Sequence, residues 1–178
     1  MRLGSLLLAA ILLSVPARLG HAGDLITDQE LIQAPNVGRC LDVPNADFRP
    51  GARVIMYPCQ SSPNQIFTFQ GGLKGWTITI NGLCVDAFRP GGGVSQSGDA
   101  VGLWTCQGSS NQIWRQNAQY SLSGQFMYIN GNSPAGRDLC LYVDGPLNGQ
   151  WPGLVLAPCN AANPNFRFSR KAPRMGAR

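Results

Sequence analysis

Short apolar runs, split by clusters of Gly, Pro, Asn and Asp, follow one another along most of this chain, and few stretches show helical spacing. That pattern predicts an all-β domain. Leu31 to Ala34, Leu41 to Val43, Arg53 to Pro58 and Ile66 to Phe69 are expected as the four strands of a first unit. Trp76-Thr77-Ile78-Thr79-Ile80 opens a second, its β-branched alternation giving the clearest strand signal, and Phe126 to Ile129 opens a third. Gly71-Gly72, Gly91-Gly92-Gly93 and Gly145-Pro146 are expected turns. Asn130 to Arg137 departs from the pattern and is expected to be a surface insertion.

The three units carry one frame. In the first, Cys40-Leu41-Asp42-Val43 leads through Val54-Ile55-Met56-Tyr57-Pro58-Cys59 to Asn64-Gln65-Ile66-Phe67. The second runs from Cys84-Val85-Asp86-Ala87 through Val101-Gly102-Leu103-Trp104-Thr105-Cys106 to Asn111-Gln112-Ile113-Trp114. The third runs from Cys140-Leu141-Tyr142-Val143 through Leu154-Val155-Leu156-Ala157-Pro158-Cys159 to Asn163-Pro164-Asn165-Phe166. Self-similarity at a period of roughly 40 to 55 residues makes each copy a unit that its neighbours must complete. No linker of low complexity and no second domain is read.

The frame also organises the cysteines. All six lie within it, and it selects the pairs Cys40–Cys59, Cys84–Cys106 and Cys140–Cys159, whose separations are nearly equal. A zinc site is the competing use, but short Cys-x-x-Cys spacing and a neighbouring histidine are missing. Paired cysteines fit the N-terminus, where Arg2, the apolar run Leu6 to Val15 and the small residues around Gly20-His21-Ala22 read as a signal peptide over 1–22. The expected destination is therefore secreted, extracellular or periplasmic. The apolar run is too short to span a bilayer comfortably, and no other segment is long and apolar enough. Residues 23–169 are expected to form the domain and 170–178 a basic disordered tail. The formal charge of +5 loses Arg2 and Arg18 with the leader, and the remainder without an organised patch is read as solvated rather than as a nucleic-acid surface.

Missing residue types narrow the chemistry. The one histidine, His21, falls in the expected leader, which leaves the domain without Ser-His-Asp or Cys-His catalysis or a His-based metal site. Lys74 and Lys171 are the only lysines, so a Schiff-base role is improbable. No phosphate loop and no calcium loop is present. No metal or cofactor is expected. Paired Asp residues would leave a glycosidase open. The balance favours a binder.

Saccharides present hydroxyls, which suit carboxylate and amide partners, and a C–H patch, which suits an aromatic face. In the first repeat Asp42 stands two residues after Cys40 and Tyr57 two before Cys59; in the second, Asp86 and Trp104 hold the same offsets. Disulfides of the expected pairing would draw each acid and ring together, with Asn64 and Asn111 adding an amide. Taken singly, Tyr57 or Trp104 reads as core and Asp42 or Asp86 as a turn cap. The recurrence of the pair at fixed offsets favours a site. The aromatics of Gln65-x-Phe67 and Gln112-x-Trp114 read as core, with each glutamine satisfying buried backbone or orienting the Asp.

At these residues the chain resembles the ricin B-type lectins, whose signature is three Gln-x-Trp repeats with Cys-x-Asp openings. The resemblance covers about Leu31 to Phe168. It implies a β-trefoil of three repeats, about four strands each, and carbohydrate-binding sites at Asp42, Tyr57, Asn64 and Gln65 and at Asp86, Trp104, Asn111 and Gln112. Ile55 and Gly102 stand where the family often has a glutamine. The third repeat has Tyr142, Ala157 and Pro164 at the site positions, so its site is expected to be lost. Asp144, Tyr142 and Trp151 could build a different one, with Trp151 as a loop anchor the competing reading. The expected function is a secreted, non-enzymatic lectin for glycans, with galactose-type sugars the ligands that the resemblance implies. The alternatives are the cell-binding subunit of a multi-chain toxin, resembling those of cytolethal distending toxins, a paired-Asp glycosidase, and a protease inhibitor using the loop around Arg137.

Overall fold

The structure, a computed structural model, describes residues 27–117, 124–145 and 151–174; the expected signal peptide at 1–22 lies outside them. The first repeat supplies β1 (Thr27–Ala34), β2 (Arg39–Asp42), β3 (Ile55–Pro58) and β4 (Phe67–Gly72). The second supplies β5 (Gly75–Ile80), β6 (Leu83–Ala87), β7 (Val101–Thr105) and β8 (Ile113–Gln116), and the third β9 (Tyr128–Asn130), β10 (Leu139–Asp144), β11 (Gly153–Pro158) and β12 (Ser169–Lys171). This is a β-trefoil.

The outer strands of each repeat make the barrel. Antiparallel pairing runs β12–β1–β4–β5–β8–β9, and reciprocal backbone bonds of 2.9 Å between Phe126 and Phe168 close the ring. Closure removes the free edges that would otherwise invite another strand. The inner strands form three hairpins, β2–β3, β6–β7 and β10–β11, which cap one end and touch through Gly153–Ile55, Arg53–Gly102 and Ala100–Val155.

Period-two alternation decides which side chains fill the cap. Leu41 and Met56, Val85 and Leu103, and Leu141 and Leu156 face one another across the hairpins and are buried, while Asp42 and Tyr57 and their counterparts point to the other side. Phe67, Trp114 and Phe168 are wholly buried beneath, each worth about 1.5–3 kcal/mol of transfer free energy or slightly more. The Trp114 indole N–H keeps a partner there, donating to the Val85 carbonyl at 3.0 Å.

The expected tail begins too early at Arg170. Arg170 and Lys171 belong to β12, where Arg170 pairs with Glu30 and, at 3.2 Å, with Asp28 of β1, its guanidinium lying 4.4 Å from the Phe69 ring centroid and 5.0 Å from that of Trp76. A planar, weakly hydrated cation suits such a stacked site, so a composition that reads as tail is held by the barrel. The turn expected at Gly71-Gly72 also shifts, to Leu73-Lys74. Gly71 stays in the strand, where a Cβ would lie 2.9 Å from the Trp76 ring.

Candidate saccharide sites

The three disulfides pair as the repeat requires, Cys40–Cys59, Cys84–Cys106 and Cys140–Cys159, with Cα–Cα distances of 5.0, 5.1 and 5.0 Å. Each pins the open end of a cap hairpin. In the first two repeats the aromatic stands opposite the first cysteine and the acid two residues further along that cysteine's strand, so acid and ring are diagonal neighbours on the face that carries the bridge.

In the second repeat Asp86 is only 4% exposed, and it is held by two amides. Asn111 donates from Nδ2 to Oδ1 at 2.8 Å, and Gln112 from Nε2 to Oδ2 at 2.8 Å. Gln112 also donates to the Thr105 carbonyl at 2.9 Å and accepts from the Gln107 N–H at 2.8 Å. The first repeat repeats the arrangement. Asn64 and Gln65 donate to Asp42 Oδ2 at 3.0 and 2.8 Å, and Gln65 bonds the Pro58 carbonyl and the Gln60 N–H. A single-turn 3₁₀ helix in each repeat, Pro63–Gln65 and Ser110–Gln112, brings the two amides in side by side.

Gln65 and Gln112 are fully buried. The resemblance counts them among saccharide contacts, but their donors and acceptors are taken up by the acid and the backbone, so they orient the carboxylate. Burial pushes the Asp42 and Asp86 carboxyls above the ordinary aspartate range, a rise that the amide bonds partly offset.

Trp104 is 41% exposed and lines, with Asp86 and Asn111, an open cavity of about 720 Å³. Two of its walls carry no site signal in the repeat frame. Phe88 meets Trp104 edge-on, with centroids 6.0 Å apart, and fills the space beside Gly102: a Cβ on Gly102 would sit 2.5 Å from the Phe88 ring and 2.3 Å from the Ala52 carbonyl. The glycine at that departure from the family pattern is therefore imposed by packing. The second wall is Arg89-Pro90-Gly91-Gly92-Gly93. The three glycines have φ of 84, 75 and 87°, a backbone path closed to most residues. Arg89 ties the loop's base to Asp99 at 3.2 Å.

The expected insertion, Asn130 to Arg137, is not wholly superficial. Asn130 ends β9 and is completely buried. It donates to the Asn111 carbonyl at 3.0 Å and accepts from the Ser95 hydroxyl, while Asn132 reaches the Gly93 carbonyl at 2.8 Å and lines the same cavity. An asparagine next to a turn glycine gave no sign of this role. Arg137, the residue of the inhibitor alternative, is exposed, with its N–H bonded to Pro134.

The third repeat needs a correction of register. Its 3₁₀ turn is Pro164–Phe166, so Asn165, Phe166 and Phe168 occupy the places of Asn111, Gln112 and Trp114, two positions beyond the expected box. Asn165 donates to the Val143 carbonyl, as Asn64 does to Val43 and Asn111 to Ala87. Phe166 packs on Tyr142, the residue in the Asp position, with centroids 4.7 Å apart, and Met127 and Ile129 join them. A polar pair has been exchanged for an apolar one.

Trp151 does not join Tyr142. It lies against Tyr57 of the first repeat, with centroids 4.3 Å apart and the rings at 63°.

A profile of the ricin-type β-trefoil lectin domain matches residues 29–168. The β-galactoside-specific lectin 2 of Viscum album is 40% identical over 53 residues, a match that takes in 29% of this chain and 9% of that protein. The designed threefold-symmetric protein ThreeFoil superposes with a TM-score of 0.70 at 20% identity, covering 81% of this chain and 98% of that one. The ricin B-like lectin of Macrolepiota procera, solved in complex with lactose, gives 0.64 at 16% identity over 82% and 96%. At such identities the two superpositions establish the fold alone.

Proposed function

The chain belongs to the ricin-type β-trefoil lectin family, and from that premise we propose that it is a secreted, non-enzymatic protein that binds glycans through its first and second repeats. The observation that carries this reading is the second site: a buried carboxylate held by two amides beside a half-exposed indole, at the floor of an open cavity.

Each part has a task. The indole face takes the C–H patch of a pyranose ring. Asp86, still an acceptor at its remaining lone pairs, takes neighbouring hydroxyls, and charge assistance strengthens those bonds. Gln112 fixes the acid before the ligand arrives, which lowers the entropy lost on binding. The first site offers the same set through Asp42, Asn64 and Tyr57. The Viscum album relative is named for β-galactosides, which makes galactosides the first ligands to try.

A hydrolase of the two-carboxylate type would need a second acid across the cavity. Asp86 is the single carboxylate among the described residues that line it, which favours binding over cleavage. The three disulfides suit an oxidising compartment and support secretion.

Glycan-array binding by the wild type, Asp86→Ala and Trp104→Ala tests the reading. Both variants are expected to lose the glycans held by the second site and keep those held by the first. Unchanged profiles in both would remove the second site from the proposal.

A further inference from the structure

The first site differs from the second in a way that the repeat frame makes visible. Val54, Val101 and Leu154 occupy equivalent positions at the start of the second hairpin strand, so Gly51, Gly98 and Trp151, three residues before them, are also equivalent. Backbone bonds confirm it: Gly51 N–H reaches Leu103, Gly98 N–H reaches Leu156, and Pro152 accepts from Met56. Each of these segments crosses to the hairpin of the next repeat around the threefold axis.

Gly51 lines the second site, where a Cβ would lie 3.7 Å from the Trp104 ring. The same place beside Tyr57 in the first site holds Trp151, which is 46% exposed. A second departure accompanies it. The residue before the first cysteine is Leu83 in the second repeat and Leu139 in the third, but Arg39 in the first, and the Arg39 guanidinium lies over the Trp151 ring at 4.9 Å from its centroid. Two residues that break the repeat thus meet each other. The cation holds the indole in place from one side, and Tyr57 abuts it from another.

We propose that Trp151 makes the first site a shared one, built across two repeats, in which Tyr57 takes one pyranose ring and Trp151 takes the next ring of the same oligosaccharide. The inference rests on the lectin reading above and adds a length preference to it. Rings set at 63° form an aromatic corner, which suits a kinked linkage. The second site has Gly51 at that place, and the ring beside its indole, Phe88, comes from its own repeat, stands 6.0 Å away and packs against Gly102. Without a ring delivered from the neighbouring repeat, this site reads a single pyranose. Arg39 is a positioning residue here, acting through Trp151.

The test isolates the first site in a Trp104→Ala background and measures affinity calorimetrically for galactose, β-1,3-galactobiose and β-1,3-galactotriose, and for the xylose series of the same lengths. Passing from one ring to two is expected to raise affinity about tenfold, the scale of one added aromatic contact. Adding Trp151→Gly is expected to leave monosaccharide affinity within about twofold and abolish the gain with length, while Trp151→Phe retains most of it. Glycine stands at this position in the other two repeats, so the fold accommodates it; unfolding midpoints verify that.

Equal length dependence with and without Trp151, in either series, overturns the proposal. So does a rise in monosaccharide affinity in Trp151→Gly, which would make the indole a lid over Tyr57. A Trp104→Ala protein that binds neither series while the wild type still binds on the array defeats the shared site and leaves the second-site lectin reading standing. A wild type that binds no glycan at all defeats the lectin reading itself.

Discussion

Where the second repeat buries Asp86 against Gln112, the third buries Phe166 against Tyr142, on the same hairpin, beside the same disulfide and over the same 3₁₀ turn. The backbone frame is therefore indifferent to whether this position is polar. What it requires is that both partners change together. A carboxylate out of water must have its acceptors filled, and an amide its donors, whereas two rings need only each other. The third repeat also carries Ala157 in place of Trp104, so acid, orienting amide and stacking ring are all replaced.

The largest effect expected from breaking this comparison comes from Gln112→Leu. It removes both donors and the acceptor that serve Asp86, Thr105 and Gln107, and should cost about 3 kcal/mol of stability while abolishing second-site binding. Urea unfolding measures the first and glycan titration the second; a cost below about 1 kcal/mol would mean that water replaces the amide freely.

A sharper trial exchanges the chemistry in the other direction. Tyr142→Asp and Phe166→Gln should each destabilise by about 2–3 kcal/mol when made singly, because each buries a polar group against a ring. Made together they should cost less than the sum by about 1–2 kcal/mol, since the new amide can reach the new acid. Simple additivity would show that the third-repeat backbone has diverged beyond rescue.

The smallest effect is on pH. Burial raises the Asp86 carboxyl above the 3.8 of an ordinary aspartate, and only the ionised form accepts both hydroxyls. Affinity at the second site should therefore fall on acidification with a midpoint above 3.8, by about tenfold for each further pH unit. The sign for stability is opposite. A carboxyl whose folded value is raised holds its proton more tightly in the folded state, so this group favours folding as the pH drops through the same window. Binding lost while the circular dichroism stays native is the expected signature. A midpoint at or below 3.8 would place Asp86 in a wetter setting than its burial implies.

Much of this was legible in order and spacing. The cysteine offsets, the recurrent Asp and aromatic, and the alternation in Val54 to Pro58 or Trp76 to Ile80 name the hairpins, the disulfides and the members of two candidate sites, because each depends on residues within one repeat. The third box lies two positions beyond where its pattern points, since Asn163-Pro164-Asn165-Phe166 imitates the motif and the chain between Cys159 and Asn165 holds one residue more than its counterparts. Arg170 has the local composition of a tail, and its partners Asp28 and Glu30 stand at the opposite end of the domain, out of reach of any local pattern.

The repeat, its bridges and the polar or apolar character of each site position follow from the sequence alone, since local periodicity and covalent pairing act over a few dozen residues. Tertiary structure decided everything that crosses between repeats: Asn130 and Asn132 bracing the second site, the Ala52 carbonyl closing off residue 102, and Trp151 delivered to Tyr57. Threefold closure brings these residues together from separate units, and no spacing within a unit encodes which neighbour each will meet.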